Sequence, residues 1–189
     1  MNTTTWRQKK TNENSIGKKM IPTFGAYYGT AVCRPEVCTM RVVIQRVKEA
    51  SVSIAGQTTA QIGPGLLVLA GFEADDRQED LEWTAHKIFN MRIFSDDEGK
   101  MNRALSDVNG EILVVSQFTL FAQTKHGNRP SFIRAAEPAH SKPCYEAFTE
   151  MLRWMNPGGV QTGTFSANMQ VALVNDGPVT ITMDSKARE

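Results

Sequence analysis

Three segments close together decide the fold: Met40-Arg-Val-Val-Ile-Gln-Arg-Val47, Ser51-Val-Ser-Ile54, and Leu66-Leu-Val-Leu-Ala-Gly-Phe72. The first is a β-branched run through Val42, Val43, Ile44 and Val47. The second alternates polar and apolar residues before Gly56, and the third follows Gly63-Pro64-Gly65. This pattern predicts three strands joined by tight turns. Between Asp76 and Met91, Leu81, Ala85, Ile88 and Phe89 recur at helical spacing behind an acidic first turn that suits the helix dipole. A further strand is expected over Glu111 to Phe118, then a polar loop to Arg134. Tyr145, Phe148, Met151, Leu152 and Met155 mark a second helix that ends at Asn156-Pro157-Gly158-Gly159. Two β-runs, Met169 to Val174 and Val179 to Met183, flank Asn175-Asp176-Gly177-Pro178. The order reads as α+β: a curved, largely antiparallel sheet or partial β-barrel carrying two packed helices.

Charge divides the chain. The first 39 residues hold six basic residues against Glu13 and Glu36, a formal +4; the whole chain carries +1, so residues 40 to 189 carry −3. A mildly acidic core excludes a broad nucleic-acid binder, because extensive phosphate neutralisation needs clustered Lys and Arg. Any nucleic-acid contact is confined to one exposed end. Residues 1 to 39 lack periodicity and an apolar signal core, and read as a disordered extension, a dispensable tail or the product of a misplaced start codon. Three cysteines, Cys33, Cys38 and Cys144, argue against a disulfide scaffold and for a reducing, cytoplasmic compartment. Cys33 and Cys38 have no second pair at ligand spacing, so no metal is expected. No apolar run is long enough to span a bilayer.

Two segments stand out chemically. At Ser116-Gln117-Phe118-Thr119-Leu120 a buried strand ends where hydroxyl, amide and aromatic groups cluster. Gly177-Pro178 offers two carbonyls, one N–H and almost no side chain, in a turn whose proline is a candidate for the cis form. Taken alone, that pair also reads as an ordinary hairpin turn, and Ser116 and Thr119 as groups satisfying strand-end hydrogen bonds.

Met40 to Val47, Arg92-Ile-Phe-Ser-Asp96, Gly99-Lys-Met-Asn102, Ser116 to Leu120 and Asn175 to Thr180 together resemble the D-aminoacyl-tRNA deacylase family, in unbroken order from Met40 to about Asp184. The resemblance implies hydrolysis of the ester joining a D-amino acid, or glycine, to the 3′ end of a tRNA. It implies a homodimer, with the Gly-Pro turn of one subunit entering the partner's active site near the Ser116 segment, and no cofactor. Ser116, Gln117, Phe118 and Thr119 are the candidate catalytic group. Gly177, Pro178, Arg46, Met101, Asn102 and Met169 are candidates for substrate binding and chiral selection, with Arg46 bracing the Gly-Pro turn.

The chemistry is consistent with these roles. An enzyme specific for D configuration but tolerant of side chain must exclude the L form around Cα, which rigid backbone carbonyls do well. Backbone N–H groups near Phe118 and Thr119 suit a developing oxyanion. Thr119 shows no adjacent base in sequence, which favours a route without an acyl-enzyme; the resemblance is consistent with the 2′-hydroxyl of the terminal adenosine assisting the attack. His86 reads as solvated on a polar helix face. Lys125, His126 and Arg129 sit in a polar loop, where the two cations suit phosphates of the CCA end. A non-catalytic module binding tRNA ends, and a deacylase of relaxed chirality, are the competing readings.

Overall fold

The computed structural model describes residues 40–74, 76–157 and 159–188. The expected N-terminal extension and Cys33-Cys38 lie outside the described residues. The architecture is organised around β1 (Met40–Ile54), one 15-residue strand. A two-residue turn at Ala55-Gly56, both with positive φ (51° and 80°), reverses the chain into β2 (Gln57–Ile62). Positive φ at both central positions gives the hairpin turn whose twist matches the flanking strands. β2 and β3 (Gly65–Phe72) then run in tandem along the same edge of β1, Ala50 facing Ile62 and Val47 facing Gly65.

Three differences from the expected strands have physical causes. The two predicted runs at Val42 to Val47 and Ser51 to Ile54 are one strand. Lys48 and Glu49 only appear to break it, because they are exposed where the pairing register shifts. β2 is an additional strand, since its Gln-Thr-Thr-Ala-Gln-Ile sequence buries only Ala60 and Ile62. The strand predicted over Glu111 to Phe118 ends at Ser116, and Phe118–Phe121 coils into a 3₁₀ turn.

Beyond β3, α1 (Gln78–Asn90) leads into a small hairpin of β4 (Phe94–Ser95) and β5 (Met101–Arg103). Next come β6 (Glu111–Ser116), α2 (Pro138–Met155), β7 (Val160–Thr162) and β8 (Gln170–Asp184). In the main sheet β1 carries β2 and β3 in tandem on one edge and β8 on the other, and β6 and then β7 follow beyond β3. The pairings of β1 are antiparallel, whereas β3–β6 and β6–β7 are parallel, so the curved sheet is mixed. Gly65 permits the β3–β6 approach: a Cβ there would lie 1.9 Å from the Glu111 carbonyl oxygen.

Alternation then builds two apolar layers. Val47, Ala50, Val52, Ala60, Ile62, Leu67, Leu113 and Val115 fill the inside of the curved sheet. The intervening Leu66, Val68, Ala70, Ile112 and Val114, buried as well, lie on the opposite face with the helices. β3 is therefore apolar on both faces, as a strand with parallel pairing and two covered faces requires.

The last turn differs from a hairpin. Val171 to Asn175 and Thr180 to Asp184 pair with the same edge of β1 in the same direction. Between the pairs Val47–Asn175 and Gln45–Thr180, β8 advances five residues while β1 advances two. Asn175-Asp176-Gly177-Pro178 thus bulges out of a single strand, because β1 is long enough to pair with both flanks.

Candidate active site

The end of β6 opens into a cleft of about 580 Å³ whose lining includes Ala70, Gly71, Ser116, Gln117, Phe118, Phe132, Phe165 and Met169. β3 sets its floor. The Gln117 N–H donates to the Ala70 carbonyl at 2.7 Å, and a Cβ on Gly71 would come within 2.7 Å of the Gln117 carbonyl oxygen. Glycine at 71 is what lets the chain leave β6 so close to β3.

From there Phe118–Phe121 forms the 3₁₀ turn, with Leu120 N–H donating to Gln117 O and Ala122 N–H to Thr119 O. The first N–H groups of such a turn have no acceptor within it, which leaves those of Phe118 and Thr119 suited to an incoming oxygen. The Gln117 side-chain amide donates to Thr119 Oγ1 in a short bond. That bond occupies a lone pair of the hydroxyl and orients it. The cleft lining includes no histidine.

Tyr145, on α2, holds the cleft walls together. Its buried hydroxyl lies 2.9 Å from the carbonyl oxygen of Val114 and 3.2 Å from that of Gly163, and the Gly163 N–H also donates to Val114 O. One wall is thereby tied to β6 and the other to the segment carrying Phe165 and Met169. Burial pushes the Tyr145 phenol up from its ordinary value, which keeps it a neutral donor. Its ring also meets Phe165 at 5.7 Å between centroids.

A second group forms around Arg46, 7% exposed on β1. Its Nε donates to the Asp176 carbonyl at 3.0 Å and lies 3.2 Å from the Asp176 carboxylate; its Nη1 donates to Ile93 O. Asn175 clasps the other flank, accepting the Val179 N–H at 2.8 Å and donating to Val179 O. Between these ties Gly177 and Pro178 stand exposed, joined by a cis peptide bond. Gly177 has φ +129°, and a Cβ on it would lie 2.8 Å from Val179 Cγ2 and 2.9 Å from Arg46 Nη2. An obstacle to a side chain therefore lies within this chain's own turn.

The sequence-predicted residues thus fall into two groups. Ser116, Gln117, Phe118 and Met169 line the cleft, with Thr119 on the adjoining turn. Arg46, Gly177 and Pro178 form the other group, and Arg46 links it through Ile93 to the base of the β4–β5 hairpin that carries Met101 and Asn102. The second group does not line the cleft of its own chain. Val171, which does, pairs with Val52, whereas the turn stands opposite Arg46, six residues away on β1 or roughly 20 Å of strand. Met101 is 60% exposed, and the Asn102 carbonyl accepts from Arg92. Lys125, His126 and Arg129 are exposed in a loop closed by the Gln123–Ser131 bridge. Phe132 and Phe165 were not singled out by the sequence, because aromatics in aperiodic loops carry no spacing signal.

Burial dominates at Asp76, near the start of α1, and raises its carboxyl to about 8; the charges of Asp80 and Glu73 add to this, while the Glu73 N–H and Lys186 oppose it. Glu73 itself pairs with Arg134, on the loop beside the cleft. Among the described residues, no group of three or more His, Cys, Asp or Glu is placed to hold a metal ion, and no helix is long and apolar enough to cross a membrane.

A nearly closed mixed sheet with two helices and a strand-end cleft defines the class. The chain is similar to the solved structure of the c-Myc DNA Unwinding Element Binding Protein (TM-score 0.72, 41% identity, 76% of this chain and 97% of that one). It shares its fold with a probable eukaryotic D-amino acid tRNA deacylase (TM-score 0.67, 19% identity, 77% and 99% covered). The family model for D-Tyr-tRNA(Tyr) deacylase matches residues 43–184. Proteins named D-aminoacyl-tRNA deacylase from Akkermansia muciniphila and Flavobacterium johnsoniae are each 57% identical over 150 residues, 79% of this chain and 100% of theirs. The chain belongs to the D-aminoacyl-tRNA deacylase family.

Proposed function

We propose that this D-aminoacyl-tRNA deacylase also hydrolyses glycyl-tRNA, and that it spares L-aminoacyl esters through the Gly177 and Pro178 carbonyls of a second copy. The observation that carries this reading is the division of the site. The strand-end cleft has donors and a polar cluster, while the backbone-presenting turn is held rigidly about 20 Å of strand away. In this reading the turn that serves a given cleft comes from another copy. Residues 40 to 189 form the catalytic unit, and residues 1 to 39 are dispensable for it.

In the reaction, water adds to the ester carbonyl carbon, the carbonyl oxygen takes up negative charge, and the 3′-oxygen of the terminal adenosine leaves with a proton. The Phe118 and Thr119 N–H groups receive the oxyanion, where preorganised donors are most effective. Gln117 and Thr119, bonded to one another, orient the ester, and Ser116 orients the water. The hydrogen bond to the Thr119 hydroxyl comes from the Gln117 amide, which is not a base, and the reading therefore dispenses with an acyl-enzyme; the adenosine 2′-hydroxyl assists proton transfer. Met169 and Phe118 pack against the adenine.

The partner's Gly177 and Pro178 carbonyls accept hydrogen bonds from the substrate ammonium and occupy the space an L side chain requires. Glycine, lacking Cβ, passes. The substrate touches the protein through one tRNA end, in keeping with a formal charge of −3 over residues 40 to 189. The expected compartment is the cytoplasm.

The test is hydrolysis of D-tyrosyl-tRNA and L-tyrosyl-tRNA by the full chain at trace concentration with a metal chelator. Loss of the D-ester alone is expected. Loss of both discards the filter and leaves a hydrolase; loss of neither transfers the cleft to a binding module that protects its ligand.

A further inference from the structure

At the mouth of the cleft, Phe118 and Phe132 meet edge to face, with ring centroids 5.3 Å apart and an interplanar angle of 75°. They are 57% and 37% exposed, and the neighbouring Ile133 is 84% exposed. A core contact would bury these rings, so their exposure leaves apolar and π surface for an external partner. An edge-to-face pair also leaves ring faces open. The loop that delivers Phe132 carries Lys125 and Arg129, both exposed. Aromatic faces beside flexible cations match single-stranded nucleic acid, in which every base offers a π-face and every linkage a negative charge.

We infer that Phe132, set against Phe118, is the stacking platform for the base that immediately precedes the terminal adenosine of the tRNA. This rests on the deacylase reading above, and adds to it a subsite outside the ester pocket. With the ester at Ser116–Thr119 and the adenosine along the cleft, the next nucleotide emerges at the mouth. Its phosphate then faces the Lys125 and Arg129 loop. Stacking is indifferent to base identity, as suits an enzyme that accepts many tRNAs sharing one 3′ sequence.

The experiment compares the full wild-type chain with Phe132→Ala and Phe132→Trp on D-tyrosyl-tRNA and on 3′-D-tyrosyl-adenosine, which lacks every nucleotide before the adenosine. Loss of a stacked aromatic is expected to raise KM for D-tyrosyl-tRNA by about ten-fold or more, with a far smaller rise for the adenosine ester and little change in kcat. Phe132→Trp, which keeps a π-face, restores the preference for the tRNA. Equal changes on both esters, or no change on the tRNA, overturn the subsite. Sedimentation gives a further check: if Phe132→Ala alters the association state, the patch belongs to a second copy and the proposal fails. Should wild type hydrolyse neither ester, the deacylase reading itself falls, and the subsite with it.

Discussion

Arg46→Lys tests whether the brace on the Gly-Pro turn has a functional role beyond holding the fold. Arginine spans two acceptors from one buried fork, Asp176 and the Ile93 carbonyl. A lysine ammonium keeps the charge but cannot span both in that geometry, so one carbonyl loses its donor. Bonds to charged groups contribute about 1.5–3 kcal/mol each, and an unpartnered buried group costs about 1–3 kcal/mol, so the variant should lose roughly 2–4 kcal/mol. That is a sizeable part of the roughly 5–15 kcal/mol by which domains are stable, yet short of unfolding. For a domain of this size it corresponds to a fall in Tm of roughly 5–15 °C. The Asp176 carbonyl adjoins Gly177, so the turn should also shift, and misplacement by an ångström costs on the order of 100-fold in rate. Thermal unfolding and the D- and L-tyrosyl-tRNA kcat/KM ratio are measured on the same preparation. A lowered Tm with unchanged kcat/KM and an unchanged D/L ratio refutes the positioning role.

Gly177→Ala places a methyl against Val179 Cγ2 and Arg46 Nη2 at a φ of +129°; a local cost of about 1–3 kcal/mol and loss of D-ester turnover are expected, and full turnover in a folded variant rejects the filter. Tyr145→Phe removes the hydroxyl that joins Val114 to Gly163; a cost of about 1 kcal/mol and a raised KM are expected, whereas a lowered Tm with unaltered KM makes the bond purely structural. Asp76 is neutral in the folded state up to about pH 8 but ionises near 3.8 when unfolded. The folded chain therefore holds the extra proton across that window, and this residue's contribution to stability is full below about pH 4 and is lost as pH rises to about 8. Asp76→Asn should flatten that decline, which has a slope of roughly 1.4 kcal/mol per pH unit. Urea unfolding from pH 5 to 9 with parallel wild-type and variant curves would show that Asp76 titrates normally.

Much of this architecture is legible in the sequence because its signals are local. β-branched residues at Val42 to Val47, the helical spacing of Leu81, Ala85 and Ile88, and the polar cluster after Val115 each depend on a few neighbours. What escapes local reading is set by distant partners. Lys48 and Glu49 interrupt the apolar pattern of β1, and only its pairing with β8 shows the strand to be continuous. The apolar run of β6 does not state that it lies parallel to β3, since burial on both faces erases alternation. Gly177-Pro178 announces a turn, but nothing local distinguishes a hairpin from a bulge whose flanks pair with one strand. Phe132 lies in a loop, and its place at the cleft follows from the Glu73–Ala135 and Gln123–Ser131 bridges.

Under the proposed mechanism, β1 also constrains how two copies would meet. Arg41, at its start, donates to the Leu120 carbonyl at 3.3 Å and lies over the Phe121 ring at 4.8 Å, so it touches the turn at the cleft. Arg46, five residues on, holds the turn that bears Gly177 and Pro178. Five residues of strand set these anchors roughly 17 Å apart on a rigid element. Under the proposed mechanism, each copy offers one cleft it cannot complete and one turn its own cleft cannot use. A two-fold axis that seats one turn in the partner's cleft necessarily seats the other in return. An open head-to-tail arrangement would leave an unused turn at one end and an incomplete cleft at the other. The spacing built into β1 therefore favours a closed dimer with two equivalent sites.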